Sequence, residues 1–308
     1  MSDGRRHAGW RSVLGAALLL GGGPAAARDG NADGIKIATW NLEWLTSRRA
    51  GDPALPADVA PKRDEDVSTL AAYAARLDPA VAALEEVDDP ALLARIFPPE
   101  RYRIFLTHDD VPQRVALAVR RDIPAIQHLD LATLDVGAEH DGNGHRLRSG
   151  LDATVVLGGR EVRMLAVHLK SGCWGERLDD PRAACRELAE QLPVLADWID
   201  NRRRDGAPFV VLGDFNRRFL PGDPFLAALR QAAPLRAANE GRSSPCWGGE
   251  EFIDHILAGN AAAGWMRPDT LRVMVFRETD PAMKERLSDH CPVSVRLAVP
   301  VSMPGSAR

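Results

Sequence analysis

At 308 residues and 45% hydrophobic content, the chain is long enough for a substantial core, which excludes a disordered class. Its formal charge of −4, with four lysines (Lys36, Lys62, Lys170, Lys284) among 39 basic residues, excludes the basic surplus that marks bulk nucleic-acid binding. A local basic patch or a bound cation stays compatible with that balance.

The first segment carries Arg5, Arg6 and Arg11, then the apolar stretch Val13 to Leu20, then Ala25-Ala26-Ala27. That order reads as a secretory signal peptide over residues 1–27. The apolar stretch falls well short of the roughly 20 residues that span a bilayer, so a retained membrane helix is the weaker alternative. Arg5-Arg6 also raises a twin-arginine route, for which its context is a poor match. Removal of residues 1–27 leaves 36 basic and 42 acidic residues, a formal charge of −6, and a single domain over 28–308. The expected location is periplasmic or secreted, with no stable membrane association.

Ten β-prone runs follow: "GIKIAT", "AVAAL", "YRIFL", "RVALAVR", "LDATVVL", "EVRMLAVHL", "PFVVLG", "FIDHIL", "LRVMVF" and "PVSVRL". Helical spacing at Val67, Leu70, Ala71, Ala74 and Leu77 predicts one helix. Leu188, Leu192, Leu195 and Ile199 predict a second, which Pro193 should kink or interrupt. Residues 46–61 and 137–150 read as surface loops. So many strands with helices between only some of them fit two packed sheets carrying helices on their outer faces, an α/β (α+β) class.

The four cysteines permit three disulfide connectivities in an exported chain. The favoured one joins Cys173 to Cys185 and Cys246 to Cys291, with free buried thiols as the alternative for the second pair. Their spacings match no zinc pattern.

Polar residues recur at strand ends. Asn41 follows the first run, Glu85 and Glu86 the second, His168 the sixth, and Asp214 and Asn216 the seventh; Asp254 interrupts "FIDHIL", and Asp289 and His290 precede the last. Each alone has a structural explanation: a turn, a helix start, an interior histidine, or an Asx turn at Asp214. Together they place carboxylate, amide and imidazole on one rim of the sheets. Glu86, Asp289 and Asn41 offer hard oxygen donors that suit Mg²⁺, Mn²⁺ or Ca²⁺. Two imidazoles near paired carboxylates supply acid and base groups, the parts that phosphate-ester hydrolysis needs.

"TWNLEWL", "ALEEV", "AVHLKSG", "VLGDFN", "FIDHIL" and "LSDHCPVSV", in that order from Lys36 to Leu297, resemble the endonuclease/exonuclease/phosphatase superfamily, which includes deoxyribonuclease I. The resemblance implies a four-layer α/β/β/α sandwich of the deoxyribonuclease I kind. It implies Glu86 as the principal metal ligand, supported by Asn41 and Asp289, with Mg²⁺ as cofactor and Mn²⁺ or Ca²⁺ as alternatives. It implies His290 as general base oriented by Asp254, Asp214 and Asn216 as positioning groups, and His168 as a general acid or phosphate donor. Arg148, Lys170 and Arg217 are candidate phosphate contacts. Trp174 and Trp247 are candidate stacking platforms, with loop packing as their plainer role. Glu85 stands where the family more often has glutamine, and strand alternation turns it away from the site.

The implied activity is metal-dependent hydrolysis of a phosphodiester by activated water, with nucleic acid as the leading substrate. The alternatives are a phosphatase or phospholipase C-like enzyme on a lipid or small ester, and a non-catalytic binding protein on the same fold. Oligomeric state, endo or exo action and sequence preference are not encoded in these motifs.

Overall fold

β1 (Ile35–Leu45) alternates its side chains between two apolar environments: Ile37 enters one cluster and Ala38 and Trp40 another. In the computed structural model, which describes residues 34–136 and 146–300 together with Met1, that alternation belongs to a sheet buried on both faces. Apart from Met1, the leader expected over residues 1–27 lies outside the described residues, as does most of the loop expected at 137–150.

The other strands are β2 (Val81–Val87), β3 (Tyr102–Leu106), β4 (Arg114–Arg120), β5 (Ala125–Gln127), β6 (Leu151–Leu157) and β7 (Arg160–His168). They continue with β8 (Phe209–Asp214), β9 (Leu235–Ala237), β10 (Ser243–Ser244), β11 (Glu250–Glu251), β12 (Asp254–Gly259), β13 (Met266–Val273) and β14 (Val293–Leu297). One six-stranded sheet has the order β13-β14-β1-β2-β4-β3 and the other β5-β6-β7-β8-β12-β9, while β10 and β11 pair as a short ribbon. All ten expected runs contribute strands. "LRVMVF" is displaced, because β13 starts at Met266 and ends at Val273.

Ile37, Val81 and Val115 of the first sheet pack against Leu151, Met164, Val210 and Ile256 of the second. Outside the first sheet lie α1 (Asp64–Leu77), as expected, and α2 (Pro90–Ile96). Outside the second lie α3 (Ala183–Asp205) and α4 (Pro224–Ala232). The result is the expected α/β/β/α order of four layers. Two short helices, α5 (Ala261–Trp265) and α6 (Ala282–Arg286), complete the set.

Of the kink or interruption expected at Pro193, interruption does not occur, since α3 runs through it. The ring sits on the exposed side, where water can satisfy the carbonyl its missing N–H leaves unpaired; Leu188, Gln191, Leu195 and Ile199 form the buried side.

Two crossovers position the site. β1-α1-β2 and β7-α3-β8 each join parallel neighbours, so the C-terminal ends of all four strands reach one rim. β12 runs antiparallel to β8 and starts there, with Asp254 opposite Asp214. Gly213 permits the close approach of β7 and β8: its φ is +146°, and an added Cβ would lie 1.9 Å from the Val167 carbonyl oxygen.

Candidate active site

The segment after β8 does two things. Asp214 Oδ1 accepts the backbone N–H of Asn216 at 2.8 Å, which is an Asx turn, and Oδ2 is left to face the rim. There it accepts Asn41 Nδ2 at 3.1 Å and lies 3.6 Å from His168 Nε2 and 3.8 Å from His290 Nε2. Burial, partly offset by His290, pushes Asp214 up to about 7. Asn216 is buried, and its Nδ2 is spent on the Leu169 carbonyl at 3.1 Å. That bond holds the strand end of β7 against the turn.

His290 is clamped from one side. Its Nδ1 lies 3.0 and 2.9 Å from the two oxygens of Asp254, and its Nε2 faces Asp214 and, at 3.7 Å, Asp289. Burial opposes the charged ring, but Asp254 and Asp214 outweigh it and hold the pKa well above the ordinary histidine value. Ser288 ties this loop to β1 by donating to the Asn41 carbonyl at 2.7 Å, and Trp40 Nε1 donates to the His290 carbonyl at 3.2 Å. The Cys246–Cys291 bond fastens the same loop to the β10–β11 region, and Cys173–Cys185 closes the turn before α3. Both favoured pairings are present, and no free cysteine occurs among the described residues.

Of the two roles expected of His168, general acid or phosphate donor, its surroundings bear on the first. Its Nε2 lies 3.7 Å from Glu86 Oε1, while Nδ1 is buried with no partner. Burial first, and then the Arg148 guanidinium, hold the ring well below its usual value. A neutral imidazole can donate one N–H but has no extra proton to give as an acid.

On the other side of Asn41 stands a carboxylate group that sequence reasoning saw only in part. Glu86 takes Asn41 Nδ2 at 3.2 Å and the Trp44 backbone N–H at 3.0 Å. Glu43, missed in the sequence, accepts the Asp289 backbone N–H at 2.9 Å, and burial followed by Asp289 pushes it up to about 8. Lys62 was missed as well, because it borders an expected surface loop. It lines a hollow of about 450 Å³ with Glu43 and Trp44; burial lowers its pKa while Glu43 and Glu86 pull the other way. The only signal was Glu43 two residues after Asn41. Its φ of +44° breaks strand geometry, so spacing could not place it.

This donor set fits a divalent cation. Glu43, Glu86 and Asp289 lie beside Asn41, and Asp214, Asp254 and His290 bring ligand atoms within 4.8 Å of one another. Closely placed carboxylate and amide oxygens are the hard donors such a cation takes.

Three cations expected at phosphate are engaged elsewhere. Arg148 donates to the carbonyls of His168 and Leu169, each at 2.8 Å, beneath the site. Lys170 pairs with Glu187 at 3.2 Å. Arg217, 1% exposed, pairs with Asp223 at 2.6 Å and donates to the Cys173 and Glu176 carbonyls. Their proximity in sequence to the motifs reflects scaffolding of the same loops. Trp247 stacks on Phe276 and donates to the Ser288 carbonyl, a packing role; Trp174 is exposed on the Cys173 turn.

Glu85 stays off the rim surface. It is fully buried between the sheets, on the same strand face as Ala83, where Thr39 donates to its Oε1 at 3.0 Å and Oε2 is unpartnered. Alternation holds for Glu85; it is Glu86, with φ +60°, that departs from it and swings to the rim. Burial, then Asp254 and Asp214, raise the Glu85 pKa well above 4.5, which favours the neutral carboxyl. A carboxyl with a raised folded-state pKa has its stability contribution intact below the unfolded value and loses it as pH rises through the folded value. Glu85→Gln keeps the shape and removes the ionisation. The expected result is near-equal stability of variant and parent at pH 4, with the variant gaining steadily toward pH 8 in urea titrations. A difference independent of pH would contradict the buried neutral carboxyl.

The profile of the Endonuclease/Exonuclease/phosphatase family matches residues 38–290. No curated protein matches the sequence. Among solved structures, TDP2 from C. elegans superposes with a TM-score of 0.58 at 14% identity, over 88% of this chain and 77% of that one. TDP2 from D. rerio, complexed with a single-strand DNA product, gives 0.56 at 18%, over 85% and 97%. The 3′ phosphatase NExo from Neisseria, bound to a product DNA hairpin, gives 0.53 at 18%, over 85% and 99%. At such identities the likeness establishes the fold.

Proposed function

The chain belongs to the Endonuclease/Exonuclease/phosphatase family and is a metal-dependent hydrolase of phosphate esters, and from that premise we propose that it cleaves phosphodiester bonds in nucleic acid. The observation that carries the hydrolytic reading is the clamp on His290. With Nδ1–H committed to Asp254, Nε2 is the atom that takes a proton from the attacking water, and Asp214, whose Oδ2 lies 3.8 Å from that Nε2, orients the water. The neutral His168 donates its Nε2–H to a phosphoryl oxygen. Asn41 holds Glu86 and Asp214 in register by donating to both.

Glu86, Asp289 and Glu43 would hold the cation, with Mg²⁺ as its identity. Bound there, it supplies positive charge to neutralise phosphoryl oxygens. Nucleic acid is supported by the DNA products bound to D. rerio TDP2 and NExo. A second reading, a small phosphate ester, is favoured by the internal engagement of Arg148, Lys170 and Arg217, and by the same fold in a mannosyl-6-phosphatase from Bacteroides thetaiotaomicron, with a TM-score of 0.53 at 15% identity. Export is part of the proposal. Two disulfides suit an oxidising compartment, and no helix among the described residues is long and apolar enough to cross a membrane.

The test is hydrolysis of plasmid DNA, RNA, bis-p-nitrophenyl phosphate and p-nitrophenyl phosphate with Mg²⁺, Mn²⁺ or Ca²⁺, and with EDTA. The expected result is nicking and diester hydrolysis that EDTA abolishes and Mg²⁺ restores. Turnover of the monoester alone would replace this reading with the second.

A further inference from the structure

Beside the catalytic rim lies a hollow of about 570 Å³ that the reaction as described leaves unused. It shares two residues with the site: Trp44, whose backbone N–H binds Glu86, and Arg148, whose Nε binds the His168 carbonyl. Pro53, Leu55 and Pro112 give it apolar walls, and Asp110, Gln113 and Arg146 interrupt them with hydrogen-bonding groups. The size falls within the range of small-ligand sites.

Trp44 differs from three of the other described indoles, and shares its lack of ring partners with Trp174 and Trp265, neither of which lines this hollow. Trp40, Trp198 and Trp247 each have an aromatic neighbour and donate their ring N–H to an acceptor. Among the described residues Trp44 has neither, and it is only half-buried. Its placement is also costly. Glu43 and Trp44 have φ of +44° and +53°, a left-handed pair without glycine. The turn is held by two bonds to site residues: Glu43 N–H to Asn41 Oδ1 at 2.8 Å, and Trp44 N–H to Glu86 Oε2. Strain thus places a large aromatic side chain in the lining of a hollow, on a residue whose backbone N–H binds Glu86, a proposed metal ligand.

We propose that this hollow seats the nucleobase next to the scissile phosphate, stacked on Trp44; the inference rests on the phosphodiester reading above. A base offers a flat apolar face to the indole and a polar edge to Gln113 and Arg146, which matches the mixed lining. An acyl chain would cover the donors that Gln113 and Arg146 keep beyond their bonds to Arg148 and Asp135 and would pair none of them. Recognition through one stacked base also suits a rim whose nearby cations are committed to internal partners, because stacking needs no phosphate-tracking charge.

The test compares the full-length protein with Trp44→Ala and Trp44→Phe on two hexamers, hexathymidylate and the same backbone carrying tetrahydrofuran in place of every thymidine. Loss of one stacked base is worth about a 5- to 150-fold weakening. The expected result is a KM rise of that order for Trp44→Ala on hexathymidylate, with kcat little changed, no rise on the abasic hexamer, and recovery in Trp44→Phe. Equal losses on both hexamers, or none on either, overturn the proposal. Should the parent cleave neither hexamer, the phosphodiester reading fails by itself, and calorimetric binding of thymidine 5′-monophosphate and deoxyribose 5-phosphate decides the hollow. Tighter binding of the thymidine compound that Trp44→Ala abolishes upholds the base site, and equal or absent binding of the two overturns it.

Discussion

His290→Ala is expected to lower turnover by about 10²- to 10⁴-fold, the range for loss of a positioned general base, with the folded structure retained. The side chain lies at the rim and not in any of the three apolar clusters, so its removal costs little packing. What it removes is an imidazole whose two nitrogens are divided between a carboxylate and the reacting space. Because Asp254 and Asp214 raise its pKa, the ring must lose a proton before it can accept one. The parent's rate therefore climbs with pH through that raised value, above the usual 6.5, and the variant's residual rate loses this limb. Steady-state rates from pH 5 to 9 with Mg²⁺, beside circular dichroism of both proteins, test this. Full activity in the folded variant would remove His290 from the mechanism.

The largest loss of stability is expected from Asp223→Ala, at a residue no motif marks. Arg217 is fully buried, and Asp223 is its one carboxylate partner, with Nε and Nη2 at 2.8 and 2.6 Å. Removing the acid strands a buried guanidinium, which costs about 3–5 kcal/mol. It also removes the N-cap of α4, where Asp223 Oδ1 accepts the Leu226 N–H at 3.0 Å, worth about 1 kcal/mol more. Guanidinium chloride unfolding of the two proteins measures the sum. A loss below about 1 kcal/mol would mean that the Cys173 and Glu176 carbonyls suffice for Arg217. Asp223→Asn keeps the cap and separates the two contributions.

The same residues show how far local pattern reaches. Asp214 reads in sequence as either an Asx turn or a site carboxylate, and it is placed as both, since one oxygen serves each. Arg217, one residue beyond Asn216, reads as a phosphate contact but is placed in the core. Position along a chain says which residues are near a motif; it does not say on which side of a loop a long side chain leaves the backbone. Glu85 and Glu86 show the converse failure. Alternation describes Glu85 correctly, yet the left-handed φ of Glu86 could not be read from "LEEV", because a non-glycine residue adopts it only when surrounding contacts enforce it.

By itself the sequence determined the strands, α1, the disulfide partners favoured and the set of polar residues at strand ends. These follow from short-range pattern: apolar runs must be buried, and period two or 3.6 says how. Only the tertiary structure decided that Glu43 and Lys62 join the site, that burial lowers the pKa of His168 and raises that of Glu85, and that Trp44 lines a hollow. Those properties depend on which groups from distant segments meet, and on how much water is excluded when they do, quantities that no window along one chain contains.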